Sequence, residues 1–515
     1  MAKKIFKVFI LSLLFGLLFI PCSNAASGKK IVCAIGQEPT SIDQSLIYLG
    51  GDYLAVANWG ERLIEKTPDG KLVPGLVTSW KFSSDGKTID FTLRKGVKFH
   101  TGDPLTAKDI VFSYDRVMAK NKSMPIFLRK MDRIEVIDDY SFKIHFKEPD
   151  VTFIPMQGIA YITSKDYYER VGEDKFTHEP VGTGAYKLVK YVPGEYVDLE
   201  AFDDYWGGKP SVEKARFLFV TEDMTRVAQL KAGEVDMLGS IPYSLIEDLE
   251  KTTGIKLMRG EPGHPTPTIQ FNNSNPKVPW YDRRVRLAMA HAIDYNTIIQ
   301  NLLLGIPSRR ASVAPWELGY DPDLKSYEHN PEKAKKLLAE AGYPNGFKLT
   351  LYYLITGTVP MMNQVAETVA AYFEAVGIRT QLRGMDPAAF SANRRTAKAK
   401  EGSNVEYVGL DSRGAIMGGV HPLQFIDANY GTNGAFSPYT NPQWDKYADI
   451  ARVSLGDREK QHEALKAGIK ILCEDVAYIP LYNYVPVYAM QDYVEFKPMI
   501  RHPFEMIILK NADIK

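Results

Sequence analysis

The sequence predicts an α/β protein of two or three lobes, and three observations carry that prediction. At 515 residues the chain is longer than one hydrophobic core usually fills. Residues 66–200 alternate apolar with polar side chains in short runs, including 87–93, 133–137 and 141–146, which is the period of half-buried strands. Residues 216–237 and 330–382 instead alternate strand with helix, the pattern that builds parallel or mixed sheets.

In chain order, the apolar run KIVCAI at residues 30–35 predicts the first strand, and residues 48–65 read as turn and helix around Asn58-Trp59-Gly60. Trp59 can line a pocket or fill the core, and large aromatics are usually mostly buried. The most informative run is FTLRKGVKFHTGDPLTAKDIVFSYDRV, residues 91–117. Phe91 and Leu93, then Val97 and Phe99, alternate about Lys95-Gly96, as half-buried strands joined or bent at a glycine do. Thr106 and Asp109 then stand three apart before Ile110, Val111, Tyr114, Val117 and Met118, so Thr106 caps an amphipathic helix and Asp109 returns the bond. Gly182-Thr183-Gly184 imitates part of a dinucleotide fingerprint. The alternating strand at 186–191 follows it where a phosphate site needs a helix N-terminus, so it reads as a turn.

Residues 217–220, 223–233 and 235–238 read as strand, helix and short strand. Asp282 and Asp294 open helices over 281–293 and 295–304. Asn330-Pro331 is a cap followed by proline at the first helical position; Gly342 ends that helix, and 347–353 is a strand. A helix over 361–376 stops at Gly377 before the strand 378–382. Residues 394–400 read as an exposed basic helix face or loop, 458–473 as a helix, and 477–487 as an apolar, tyrosine-rich extended run.

Lys3, Lys4 and Lys7 precede an apolar run over residues 8–20, and Ser23-Asn24-Ala25 supplies the small residues that signal peptidase needs. Residues 1–25 are therefore expected to be a removed export signal, cleaved after Ala25 or Ala26. The run is shorter than the roughly 20 apolar residues that span a bilayer. Cys22 raises lipid anchoring as an alternative, but Pro21 stands where a small residue normally precedes a lipid-modified cysteine. Cys33 and Cys473 lie in apolar settings and are expected as two buried thiols, although export permits a disulfide.

Hydrophobic residues at 45%, charged residues at 24% and a formal charge of +1 are those of an ordinary globular protein, with no basic block for a nucleic-acid surface. There is no HExxH, GxSxG, phosphate-loop or CxxC motif, and no two of the nine histidines lie within four residues. No enzyme, cofactor or metal site is therefore predicted.

The order of residues also resembles a known family. KGVKFHTGDPLTAKDIVFSYDRV, beginning at Lys95, is similar to the signature segment of the family 5 solute-binding proteins of peptide and nickel importers. EPTSIDQS at Glu38, VGTGAYKLVKYVPGE at Val181, FDDYWGGKP at Phe202, FNNSNPKVPWYDRRVRLAMAHAID at Phe271 and NPEKAKKLLAEAGYPNGFKLTL at Asn330 agree in order. The resemblance implies a two-lobed periplasmic-binding-protein fold with a hinge, mixed sheets and an extra strand-rich subdomain in the first lobe. The implied bounds are 26–58, 208–270 and 483–515 for the first lobe, 59–207 for the subdomain and 271–482 for the second lobe. It further implies a periplasmic, monomeric receptor that closes on a peptide or peptide-like solute and delivers it to ABC permease subunits in the inner membrane. A nickel chelate, sugar or other non-peptide solute is the alternative, with a secreted hydrolase or a sensor behind it.

In peptide-binding members an aspartate after a short second-lobe strand contacts the peptide α-amino group. The matching run here is EYVGLDSRGAIMGGVHPLQF, which puts Asp411 at the aspartate position. Val408 occupies the usual tryptophan position, and Gly414, Gly418 and Gly419 remodel the following turn, which places peptide specificity in question more than transport. The residues expected to contact ligand are thus Asp411, Tyr407, Arg413 and Trp59. The alternative for Asp411 is a turn or capping role, and a lone His421 could serve a metal complex.

Overall fold

The computed structural model describes residues 29–515 apart from 48–55, 70, 122–127, 151, 157–159, 263–265, 274, 356–358, 387–388, 391, 395–405, 412–420, 433, 435–436, 438, 455 and 499–506. Three sheets carry the architecture of the described residues. The seven-stranded sheet runs Ile255–Arg259, Val487–Gln491, Met237–Leu238, Lys30–Ile35, Lys214–Phe219, Tyr196–Ala201, Tyr186–Val192. Lys30–Ile35 is central and parallel to both neighbours, and the outer pairs are antiparallel. Its continuous apolar run follows from being covered on both faces: Ile31, Cys33 and Ile35 join one core cluster and Ala34 another. The strand–helix–strand reading of residues 216–237 holds, with the helix Asp223–Lys231 linking the two strands that flank it.

The second sheet runs Arg379–Met385, Lys348–Leu354, Val408–Asp411, Thr268–Phe271, Tyr478–Pro480 and is also mixed. One face packs on the helices Arg283–Ala292, Pro331–Glu340 and Met362–Ala375, whose Val285, Ala334, Leu338, Val365 and Val369 are buried together. The third sheet is antiparallel, Val77–Phe82, Thr88–Leu93, Ser141–Phe146, Met131–Asp138, and forms its own core with Ile110, Tyr114 and Val117 of the helix Ala107–Lys120. The predicted cap of that helix is present: the Thr106 amide donates to Asp109 Oδ2 at 2.9 Å. Asp109 also accepts from the Lys165 amide at 2.9 Å, so the cap anchors a second helix, Lys165–His178.

Two expectations need correction, and one element was missed. Val97 and Phe99 are buried but form no strand; after Gly96 at φ +80° the chain makes a turn closed by the single bridge Lys98–Pro104. Ile64–Lys66, overlapping the end of the expected turn and helix of 48–65, is a short strand paired with Leu72–Pro74. The helix Lys165–His178 was not foreseen, because Gly172 at φ +80° kinks it and only Tyr167 and Phe176 of its residues are fully buried, which leaves little periodic signal. Strands Tyr186–Val192 and Tyr196–Ala201, given to the subdomain by the implied bounds, hydrogen-bond into the seven-stranded sheet, since Tyr186 and Val197 pack with Ile31 and Cys33. Thr268–Phe271 belongs to the second sheet, across the implied boundary.

The chain passes from the seven-stranded to the five-stranded sheet between Arg259 and Thr268, and returns between Pro480 and Val487. The two connections run side by side: the Gly260 amide donates to the Pro486 carbonyl at 2.8 Å, and the Leu481 amide to the Pro267 carbonyl at 2.9 Å. Tyr243 grips the return path, its hydroxyl donating to the Val485 carbonyl at 2.7 Å and accepting from the Val485 amide at 3.1 Å. Cys33 and Cys473 are both free thiols. No helix among the described residues is long and apolar enough to cross a membrane, and the expected export signal and Cys22 lie outside the described residues.

Two histidines, the half-buried His100 and the buried His421, should make stability depend on pH. His100 Nε2 lies 3.0 Å from the Gly184 carbonyl while its Nδ1 accepts from the Gly182 amide at 3.2 Å, and His421 Nε2 faces Gln461 Oε1 at 3.3 Å. Burial pushes both rings down to about 4. Below pH 6.5 the unfolded chain takes up protons that the folded one refuses, so each ring lowers stability by roughly 1.4 kcal/mol per pH unit until pH 4. Melting curves between neutral pH and pH 4.5 should show this decline, and His421→Gln should flatten it; an unchanged slope in the variant excludes His421 as a source.

Candidate ligand-binding cleft

A cleft of about 340 Å³ opens where strand ends from the two large sheets meet. Ile35, Gln37, Arg226 and Ser240 line it from the seven-stranded side, and Leu354, Met361 and Gln364 from the five-stranded side. Lys30–Ile35 and Lys348–Leu354, both parallel members of their sheets, end there, the place where open α/β sheets bind ligands. Ser240 and Met361 hold left-handed backbone at φ 52° and 63°. Each such residue costs about 1–2 kcal/mol without glycine's freedom. Strain of this kind concentrates at binding sites, and here one strained residue faces the cleft from each side.

Arg226 is the cleft's buried cation. Its Nη1 donates to the Val220 carbonyl at 2.7 Å and its Nη2 pairs with Asp223. A Cβ on Gly36 would stand 2.9 Å from Nη1, so glycine there lets the guanidinium lie under the first strand's end. The charge is thus spent on the wall itself, and Arg226 shapes the cleft.

Of the residues expected from sequence, the described ones, Asp411, Tyr407 and Trp59, do not line this cleft. Asp411 ends the central strand Val408–Asp411 with its side chain fully buried, paired to Arg394 Nη1 at 2.9 Å. Arg394 Nη1 is also 3.3 Å from Asn429 Oδ1 on the helix Pro422–Tyr430. Residue 394 was expected at the start of an exposed basic stretch; the buried carboxylate draws it inside, and residues 395–400 lie outside the described residues. Tyr407 is buried, stacked on Tyr352 at 6.0 Å with Phe390 edge-on at 6.2 Å, and its ring lies so close over Gly409 that a Cβ there would meet the hydroxyl at 2.1 Å. Trp59 is fully buried with Tyr186 and Phe202 in the first-lobe core, the bland alternative for that residue. Arg413 lies outside the described residues. His421 is buried against Gln461, and among the described residues no three His, Cys, Asp or Glu side chains gather to hold a metal. Sequence reasoning missed Arg226, Ser240 and Met361; only the strand-to-helix turn before Asp223 hinted at the first, and a left-handed serine or methionine leaves no compositional trace.

Residues 71–409 match the model of the bacterial extracellular solute-binding proteins, family 5, middle region. The chain is 27% identical to heme-binding protein A of Haemophilus influenzae, over 94% of this chain and 92% of that protein. It is 29% identical to the glutathione-binding protein GsiB of Escherichia coli, over 89% and 90% respectively. Among solved structures it is similar to the periplasmic binding protein DppA of Helicobacter pylori in complex with the peptide STSA, at 24% identity and a TM-score of 0.81, covering 95% of this chain and 98% of that one. With the mixed α/β sheets, paired crossovers and cleft in place, the family match makes this chain a member of the bacterial extracellular solute-binding proteins of family 5, the substrate-binding components of ABC importers.

Proposed function

We propose that the protein is an exported, monomeric receptor that binds a peptide or peptide-like solute in the cleft between its two large sheets, closes by hinge motion and presents it to an inner-membrane permease. The cleft lined from both sides by a strained residue supports this reading most directly. Glutathione- and dipeptide-binding relatives favour a peptide-like solute. Export with cleavage after Ala25 or Ala26 belongs to the same proposal, as does a lobe division near the two crossovers.

The Arg394–Asp411 pair favours a second reading, a solute without an ammonium group. In the peptide reading Asp411 takes the α-amino group and must share or release Arg394 to do so; in the second it remains a structural partner. Mass spectrometry of the solute released from purified protein by mild denaturation identifies the class. Moving a hinge from mostly open to mostly closed needs a differential affinity of roughly 5.5 kcal/mol, more than one hydrogen bond gives. Several contacts from both lobes are therefore required. Small-angle scattering should show compaction when that solute is returned to the stripped protein, and an unchanged radius at saturation counts against a hinged receptor.

A further inference from the structure

The antiparallel unit touches the second lobe through charged side chains. Arg129 Nη2 stands 3.7 Å from Asp427 Oδ2, and the same oxygen is 3.1 Å from Arg452 Nη2. Asp427 lies on the helix Pro422–Tyr430 and Arg452 on Pro442–Val453, both of the second lobe, whereas Arg129 just precedes the strand Met131–Asp138. Lys130 and Asp150 of the antiparallel unit add to the local field: Lys130 is 3.3 Å from Glu148 and feels the charge of Arg452, and the buried Asp150 acts electrostatically on the buried His421. Burial pushes the Asp427 carboxyl above its ordinary range, and Arg452, Arg129 and Lys130 pull it back.

The apolar arrangement around these charges differs from that at the hinge. At the hinge one continuous core cluster includes Ala34, Tyr243 and Val487 together with Ile269 and Leu351, so apolar contact joins the two large sheets. The core of the antiparallel unit runs over residues 63–162 and includes no described residue of the second lobe. Among the described residues the contacts there are between charged side chains, and partly exposed polar contact is exchanged for water at small net cost. A contact of that kind separates and re-forms readily, as the far side of a hinged clamp must.

We propose that Arg129 and Asp427 form an electrostatic latch that holds the antiparallel unit against the second lobe in the closed receptor, with Lys130 and Arg452 setting its charge balance. The proposal rests on the hinged-receptor reading. Arg129 and Asp427 are positioning residues: they do not line the cleft, and they set how long the closed form lasts.

The test uses the full chain with spin labels at cysteines replacing the exposed Lys81 and Lys446, on the antiparallel unit and second lobe respectively. The distance between labels is read with the copurified solute bound and after stripping. In wild type, raising salt from about 0.1 M to about 1 M shortens the screening length from roughly 10 Å to roughly 3 Å and should increase the long-distance population. Arg129→Ala should show that larger open population already at low salt, lose the salt response, and release solute about 3- to 10-fold faster. If wild type changes distance on stripping but Arg129→Ala matches it at every salt concentration, the latch is wrong and the hinge stands. If wild type keeps one distance with and without solute, the hinge reading fails and the latch falls with it.

Discussion

Arg394→Ala is expected to destabilise the second lobe by roughly 3–5 kcal/mol, the cost of taking one partner from a buried ion pair. Asp411 is fully buried and Arg394 only slightly exposed, so water cannot easily replace the lost guanidinium. Removing both charges should be far milder: Arg394→Met with Asp411→Leu is expected to recover most of the loss, because no uncompensated ion then remains. Hydrogen exchange at the amides of the strands Val408–Asp411 and Thr268–Phe271 reads this locally, which suits a chain of several cores better than one global melting point. Equal losses in the single and double variants would show that packing around Tyr407 and Tyr430, not charge, sets the cost.

The same variant separates the two solute classes. A solute ammonium that reaches Asp411 would take the place Arg394 vacates, so solute should stabilise Arg394→Ala more than it stabilises wild type. A solute read by other groups should stabilise both alike. The thermal shift produced by the copurified solute in each protein therefore decides whether Asp411 belongs to the binding site.

Much of the fold was legible because local signals agreed with tertiary ones. Thr106 and Asp109 cap the helix they announce, Asn330-Pro331 opens another, and the apolar run at residues 30–35 is the central strand its composition suggests. Legibility failed where long-range partners override pattern. Val97 and Phe99 alternate like a strand, yet burial under the neighbouring helix, not sheet pairing, explains their apolar character. The site was less legible still. Sequence order put Asp411 at a ligand position but could not reveal that Arg394, in a run that reads as basic surface, would meet it in the interior. Ser240 and Met361 are marked only by their backbone angles, which no residue type encodes.

Gly182→Ala is expected to be the most damaging single methyl addition among the described glycines of the first lobe, costing about 3 kcal/mol or more. An ideal Cβ there would stand 2.0 Å from the Trp59 carbonyl oxygen, and one on Gly184 would stand 2.7 Å from the Trp59 carbonyl carbon. Both obstacles are backbone, which no rotamer change can move aside. The obstructed approach carries several bonds at once: the Gly184 amide donates to the Trp59 carbonyl at 3.1 Å, Tyr186 to Asn58 at 3.1 Å and His100 to Gly182 at 2.9 Å. A shift of the turn therefore loosens the signature segment, the Trp59 turn and the start of the strand Tyr186–Val192 together. Gly194 is the control, since its φ of +76° strains an alanine but no atom lies within 4 Å of the added carbon. Gly194→Ala should cost only the backbone term, about 1–2 kcal/mol. Hydrogen exchange at the Gly184 and Tyr186 amides should accelerate strongly in Gly182→Ala and little in Gly194→Ala; similar acceleration in both would mean that conformational preference, not close approach to Trp59, is what glycine supplies at position 182.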